Sequence, residues 1–231
     1  MAKEKLTRKE LLKSSDEFLT VSGRALLYVK EHAKPFKVAG YILAGAALVY
    51  LGVNAYFNYQ NKKGQEAYNA AYYEVLKVKE IKADDEALKK SEELFKKVMT
   101  DHGISKASRL APPQIAHLKF LEKKYDEAVR LYQAYLKEVP ENTAYHSLAL
   151  LALAASYEGQ GDFGKAVETL QRILSSSEPS FKEQATLNLA RVYGLSKQPD
   201  KARETLKEFI EKYKNSPFLS MAKARLNDYS S

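Results

Sequence analysis

Four histidines, sixteen tyrosines and no cysteine bound the chemistry open to this chain of 231 residues. Without a thiol there is no disulfide, no thiolate nucleophile, no zinc–cysteine site and no iron–sulfur cluster. Anchoring through a lipidated N-terminal cysteine is excluded as well. Any imidazole ligand or base must come from His32, His102, His117 or His146. None of them stands in H-E-x-x-H or in another pair at helical spacing. His117 and His146 fall on neighbouring repeat units, which leaves a shared metal there as an open alternative. There is no glycine-rich phosphate loop and no G-x-S-x-G. Ser175-Ser176-Ser177 reads as a polar turn ahead of Pro179. Tyr68, Tyr72, Tyr132 and Tyr157 recur at repeat or core spacing and read as packing residues. The expectation is a non-enzyme with no cofactor and no metal.

The elements that position these residues are helical. Ala, Leu, Lys and Glu dominate and are good helix formers. Gly and Pro number only 10 and 7, and 45 % of residues are apolar, which fits a folded chain rather than a disordered one. Net charge is +8, and the first 37 residues hold nine Lys/Arg against five Asp/Glu. Lys89-Lys90, Lys96-Lys97 and Lys123-Lys124 alternate with acids and read as solvated helix faces. No basic stripe interleaves with aromatics, so nucleic acid is not an expected partner.

From Val38 to Phe57 the chain reads VAGYILAGAALVYLGVNAYF, uncharged throughout. As a helix this stretch is roughly 30 Å long, the thickness of a hydrocarbon core. Phe36 and Tyr41 mark one end and Tyr50, Tyr56, Phe57 and Tyr59 the other, as amphipathic rings do at headgroups. The expectation is an uncleaved signal-anchor helix. A buried soluble helix and a cleaved signal peptide are the alternatives; the 37 preceding residues and the length of the run weigh against the latter. Arg24, Lys30, Lys34 and Lys37 precede the span, and only Lys62 and Lys63 follow closely. The positive-inside rule therefore puts the N-terminus in the cytoplasm and residues beyond about 60 outside. Before the span, Ser15 or Asp16 can cap a short helix to about His32 with Phe18, Val21, Ala25 and Val29 on one face, broken by Pro35. That segment is either an amphipathic surface helix or a loose basic tail. Gly40, Ala44 and Ala47 form a small-residue stripe that would let another membrane helix pack closely. The expected organisation is 1–37 cytoplasmic, 38–57 membrane helix, and 60–231 an outer helical domain.

Beyond residue 60 the sequence repeats itself. Ala116, Ala154 and Ala190 each precede another alanine by twelve residues: Ala128, Ala166 and Ala202. Four residues later stand Tyr132, Leu170 and Leu206. The second alanines are 38 and 36 residues apart, and Ser91, Phe95 and Val98 occupy the same places in a weaker earlier unit, whose first helix, about 65–81, continues from the membrane helix. Small residues where two antiparallel helices cross permit close approach, and the large residue fills the gap to the next hairpin. The copy Leu153–Leu170, LAASYEGQGDFGKAVETL, resembles the tetratricopeptide repeat, with Tyr157 and the Gly161-Asp162-Phe163 turn in place. The last copy has Pro199 where an aromatic is usual, and Pro112-Pro113 must start, kink or break the first helix of another. The fold class expected is therefore all-α: one N-terminal transmembrane helix, then an α-solenoid of about three to four hairpins.

The order of parts, with YVKEHAKPFKVAGYILAGAAL, GQEAYNAAYYEVLK and GISKASRLAPPQIAHLKFLEKKYDEAVRLYQAYL, resembles the ancillary SecYEG translocon subunit family (YfgM-like). Residues 1–27 extend beyond that likeness. The resemblance implies a bacterial inner-membrane protein with a periplasmic repeat domain. Its implied partners are the protein-conducting channel and periplasmic folding factors or exported clients. Self-association stays open, and a structural scaffold binding folded partners in a cell-envelope assembly is the alternative function. First helices line the inner surface of such arrays. On the alanine register, a protein-binding groove is expected from Leu110, His117 and Phe120, then Leu148, Leu151, Ala155 and Glu158, then Gln184, Leu187 and Arg191.

Overall fold

The computed structural model describes residues 23–80 and 85–229. Residues 1–22, including Ser15, Asp16, Phe18 and Val21, lie outside the described residues. Residues 23–31 are helical, and His32 forms a turn before the next helix. Helix α1 then runs Ala33–Glu80, 48 residues without a break. Pro35 falls in its first turn, where the missing N–H would have no helical partner anyway. The chain divides into two compact units between Asn58 and Tyr59.

In the first unit the apolar stretch 38–57 is exposed along its whole length. By length and composition it is a candidate membrane span, with none of it buried against protein. Gly40, Ala44 and Ala47 are exposed, with nothing packed where a Cβ on Gly40 would point.

The second unit is a stack of antiparallel hairpins, with no strand among the described residues. The part of α1 beyond Tyr59 pairs with α2 (Asp85–Asp101); α3 (Ala111–Leu121) with α4 (Tyr125–Glu138); α5 (Ala144–Gln160) with α6 (Phe163–Ser175); α7 (Lys182–Leu195) with α8 (Pro199–Lys212). Helix α9 (Leu219–Asp228) lies on α8. The repeat register explains the pairing. Ala116, Ala128, Ala154, Ala166, Ala190 and Ala202 are all buried, and so are Tyr132, Leu170 and Leu206. In the first hairpin Ser91 takes the alanine's place, fully buried, and its hydroxyl donates to the Ala71 carbonyl at 2.9 Å. Phe95 beneath it meets the Tyr68 ring edge-on at 5.2 Å. Each fully buried large apolar side chain contributes about 1.5–3 kcal/mol, and no hairpin could bury its face alone.

The turns inside the hairpins repeat too. Lys123, Gly161 and Lys197 each stand five residues before the second alanine, and each adopts positive φ, 58°, 79° and 59°. The N–H of the next residue then bonds back five positions, from Lys124 to Lys119, Asp162 to Tyr157 and Gln198 to Tyr193. This is the Schellman closure that satisfies the last helix carbonyls. Asp162 then caps α6, its carboxylate accepting from the Lys165 N–H at 3.1 Å. Pro112-Pro113 sit in the first turn of α3 and Pro199 in that of α8. These prolines therefore start helices rather than break them.

Candidate functional site

The first helices of successive hairpins present one common face, and near the N-terminal end of the repeat domain that face opens into a cavity. It holds about 470 Å³ and is lined mainly by apolar atoms. Helix α1 contributes Tyr68, Tyr72, Val75 and Leu76, one face at helical spacing. Helix α3 and the residue before it add Leu110, Pro113, Gln114 and His117. Helix α5 adds Tyr145, Leu148, Ala149 and Ala152, while Tyr132 and Tyr135 reach in from α4. Tyr145 is 57 % exposed and Leu148 50 % exposed, although the helices carrying them pack on both sides.

The site is chemically quiet. Burial pushes the hydroxyls of Tyr68, Tyr132 and Tyr135 above the usual tyrosine range, with Tyr72 adding to the effect at Tyr68 and Tyr145 at Tyr135. These phenols therefore stay protonated at neutral pH and act as hydrogen-bond donors on an apolar wall, not as nucleophiles. His117 stacks with Phe120 at 6.2 Å. His146 instead lines a separate, more polar cavity of about 970 Å³ between α4, α5 and α6, and burial followed by Arg172 lowers its pKa. The two histidines thus face different spaces, and no group of three metal-capable side chains assembles among the described residues.

Of the groove residues expected from sequence, Leu110, His117 and Leu148 line this one cavity. Phe120 and Leu151 pack instead against the central core cluster. Glu158 and Arg191 are joined by an ion pair between α5 and α7, with Asn188 also accepting from Arg191. Gln184 is partly buried in the first turn of α7, away from the cavity. Leu187 is a correction. It is 4 % exposed and belongs to a C-terminal core built from Ala190 of α7, Leu206 and Phe209 of α8 and Ala222 of α9. Tyr72 is a second correction: read from its repeat or core spacing as a packing residue, it is 41 % exposed and lines the cavity. Sequence reasoning missed Leu76, Tyr135 and Tyr145 as lining residues. The available signal was the Tyr68, Tyr72, Leu76 stripe, which a core helix and a binding helix share.

The stacking of these hairpins and their alanine register match a known family along most of the chain. The tetratricopeptide repeat-like domain family matches residues 34–173 and again 116–225. The chain belongs to that family. The first of the two matches takes in the apolar part of α1. Among solved structures, nearly identical TPR-like repeats from a Podosopora anserina protein named for kinesin light chain superpose with a TM-score of 0.52 at 16 % identity, covering 75 % of this chain and 84 % of that one. A tetratricopeptide repeat protein from Parabacteroides merdae gives 0.52 at 16 % identity, covering 71 % and 60 %. At such identity the likeness is one of fold alone. No curated protein matches the chain.

Within this TPR-like array the interfaces between hairpins repeat as well. Gln133 donates to the Tyr157 hydroxyl at 2.7 Å, and Gln171 lies 3.5 Å from the Tyr193 hydroxyl one repeat later. Lys165 and Lys201 stand over the same two rings, each 5.5 Å from the centroid. Between the first two hairpins the contact is ionic: Lys119 donates to Glu92 at 2.6 Å and reaches Glu122 at 3.4 Å. Burial opposes the Lys119 ammonium, but the two carboxylates outweigh it and raise its pKa; Glu92 is lowered against the same opposition by Lys119 and Lys96. TPR-like arrays are protein-interaction modules, and the arrangement here offers a surface for binding with no catalytic constellation among the described residues.

Proposed function

We propose that the chain is a single-pass membrane protein whose TPR-like domain binds a short apolar segment of another protein in the tyrosine-lined cavity. The observation that carries this reading is the exposure of Tyr72, Leu76, Tyr145 and Leu148 together on one face of a well-packed array. Such a patch, apolar and edged by phenol hydroxyls, suits anchoring side chains of a protein partner. Support for the anchor is the bare apolar length of α1 and the basic residues Arg24, Lys30, Lys34 and Lys37 before it. On this reading the N-terminus is cytoplasmic and the repeat domain lies on the periplasmic face of a bacterial inner membrane. Its role is that of an ancillary subunit of the protein-conducting channel, assisting exported proteins or periplasmic folding factors.

A scaffold role in a cell-envelope assembly is the second reading, and one observation favours it. The apolar lining of the cavity comes from the first three hairpins alone, while further along the array Glu158 and Arg191 are tied to each other by an ion pair. That suits one defined partner better than a long unfolded client.

In-cell photo-crosslinking separates these readings. A probe at Leu148 should capture channel subunits and exported chains, and one at Gln184 should capture few. Capture of a single folded complex would favour the scaffold, and equal capture from both positions would remove the cavity as the site. Protease added to spheroplasts should digest the repeat domain; a protected domain would overturn its placement.

A further inference from the structure

The last turn of α2 and the loop after it come back to the first residues of the repeat domain. The Lys106 N–H donates to Asn61 Oδ1 at 2.8 Å, and His102 Nδ1 lies 3.4 Å from Gln60 Oε1. Gly64 packs so closely on the loop that a Cβ there would fall 2.3 Å from Ser105 Oγ. Ser105 is fully buried, its N–H donating to the His102 carbonyl at 2.8 Å. The Ser108 hydroxyl donates to the Gly103 carbonyl at 2.7 Å. The loop is thus tied down on both sides of its tip. The tip residue, Ile104, is nevertheless 49 % exposed, and Met99 in the turn before is 40 % exposed.

The charges flanking this contact are mostly positive. Lys62, Lys63, Lys106 and Arg109 are exposed. The acids are Glu66, which pairs with Lys63 at 3.0 Å, and Asp101. An apolar tip fixed in place and surrounded by cations has the character of an interfacial membrane contact. The apolar side chain enters the headgroup zone, and lysine and arginine meet anionic lipid.

We propose that the 102–106 loop docks on the surface of an anionic bilayer, with Ile104 inserted among the headgroups. The inference rests on the reading that 38–57 crosses the membrane. Gln60 follows Phe57 by three residues, about 4.5 Å of helix rise. A loop held on Gln60, Asn61 and Gly64 therefore lies at the level of the headgroups wherever the span ends near Phe57. The contact turns a single tether into a two-point attachment. A protein partner would meet the same apolar tip, but the surplus of cations beside the emerging helix favours lipid.

The chain has no native cysteine, so single labels are clean. Full-length Ile104→Cys, Val49→Cys and Leu195→Cys variants would carry an environment-sensitive fluorophore in phosphatidylglycerol-containing proteoliposomes, with quencher-bearing lipids added. The expected result is quenching at 49 and 104 and none at 195. The quenching at 104 should fall at least twofold in pure phosphatidylcholine, and also in the Lys62→Gln, Lys63→Gln, Lys106→Gln background. Quenching at 49 without quenching at 104 overturns the loop contact and leaves the span standing. No quenching at either position overturns both. A blue-shifted label at 104 that lipid quenchers do not reach means protein covers the tip, and also overturns the proposal.

Discussion

At the C-terminal end of the repeat domain, α9 lies over α8, and Leu187, Leu206 and Phe209 disappear into a core. Near the N-terminal end a face of the first helices stays open instead, with Tyr72, Leu76, Tyr145 and Leu148 meeting solvent around a cavity. The backbone plan is the same at both ends. What differs is that a further helix packs on the last hairpin and that α5 and α7 are joined by the Glu158–Arg191 ion pair, whereas the cavity-lining side chains of the first hairpins keep no such cover. A repeat array therefore does not carry a groove along its whole length by virtue of its fold.

The largest test of that contrast is aromatic truncation at each end. Phe209→Ala removes a fully buried ring and should cost about 3–5 kcal/mol in urea unfolding. Tyr72→Ala removes a ring that is 41 % exposed and should cost less, about 1 kcal/mol. Comparable losses at the two positions would mean that the N-terminal face is packed, and the open cavity would have to be abandoned.

Binding should show the reverse pattern. With a peptide identified by crosslinking, Leu148→Glu should weaken association by tenfold or more, roughly 1.4 kcal/mol or above. Gln184→Ala should change it less than about twofold. A larger effect at Gln184 would shift the site to the C-terminal half and reverse the comparison.

The ends were unequally legible in the sequence for physical reasons. Alanine pairs and the large residues after them specify helix crossings directly, because a small residue at a crossing has one structural use. All three alanine pairs are buried as that register requires. The proline positions resolved as helix starts, which follows from the fixed φ and missing N–H. Groove residues obey no such rule. Leu151 and Leu187 each stand three residues before the first-helix alanine and both pack into cores, while Leu148 and Gln184, each six residues before it, are exposed and partly buried respectively. Tyrosine is ambiguous in the same way: Tyr132 and Tyr157 are buried while Tyr72 is not. The ion pairs Glu92–Lys119 and Glu158–Arg191 join residues 27 and 33 positions apart, beyond any helical spacing pattern.

Those ion pairs sharpen the comparison further. Glu92, bridging to α3 through Lys119, is mostly buried, and Arg191 is about a third exposed. Glu92→Gln should cost about 2 kcal/mol at neutral pH, and Arg191→Ala less, about 1 kcal/mol. The folded-state pKa of Glu92 is depressed below its ordinary 4.5. Its contribution is therefore fully present above 4.5 and is lost as pH falls through the folded value. Wild-type and Glu92→Gln stabilities should begin to converge as pH falls below 4.5 and meet once it has passed the lower, folded-state value; a gap that never narrows would show that packing, not charge, separates them.

The smallest effect concerns a feature that both ends share. Lys123, Gly161 and Lys197 occupy the same left-handed turn position in the second, third and fourth hairpins, and of these three only the third has glycine there. A lysine in that conformation carries a strain of about 1–2 kcal/mol, and glycine would relieve it while losing about 0.5–1 kcal/mol to its greater freedom when unfolded. Lys123→Gly and Lys197→Gly should each therefore stabilise the domain by about 0.5 kcal/mol, and Gly161→Ala should destabilise it by about 1 kcal/mol. Equal gains at 123 and 197 would show that the hairpin turns are interchangeable and that the two ends differ only in what covers the first-helix face. A gain at 197 alone would mean the first hairpins open before the rest of the array unfolds. The tyrosine cavity would then be the least stable part of the domain rather than an open part of a uniformly stable one, and hydrogen exchange at α1 and α3 would report it.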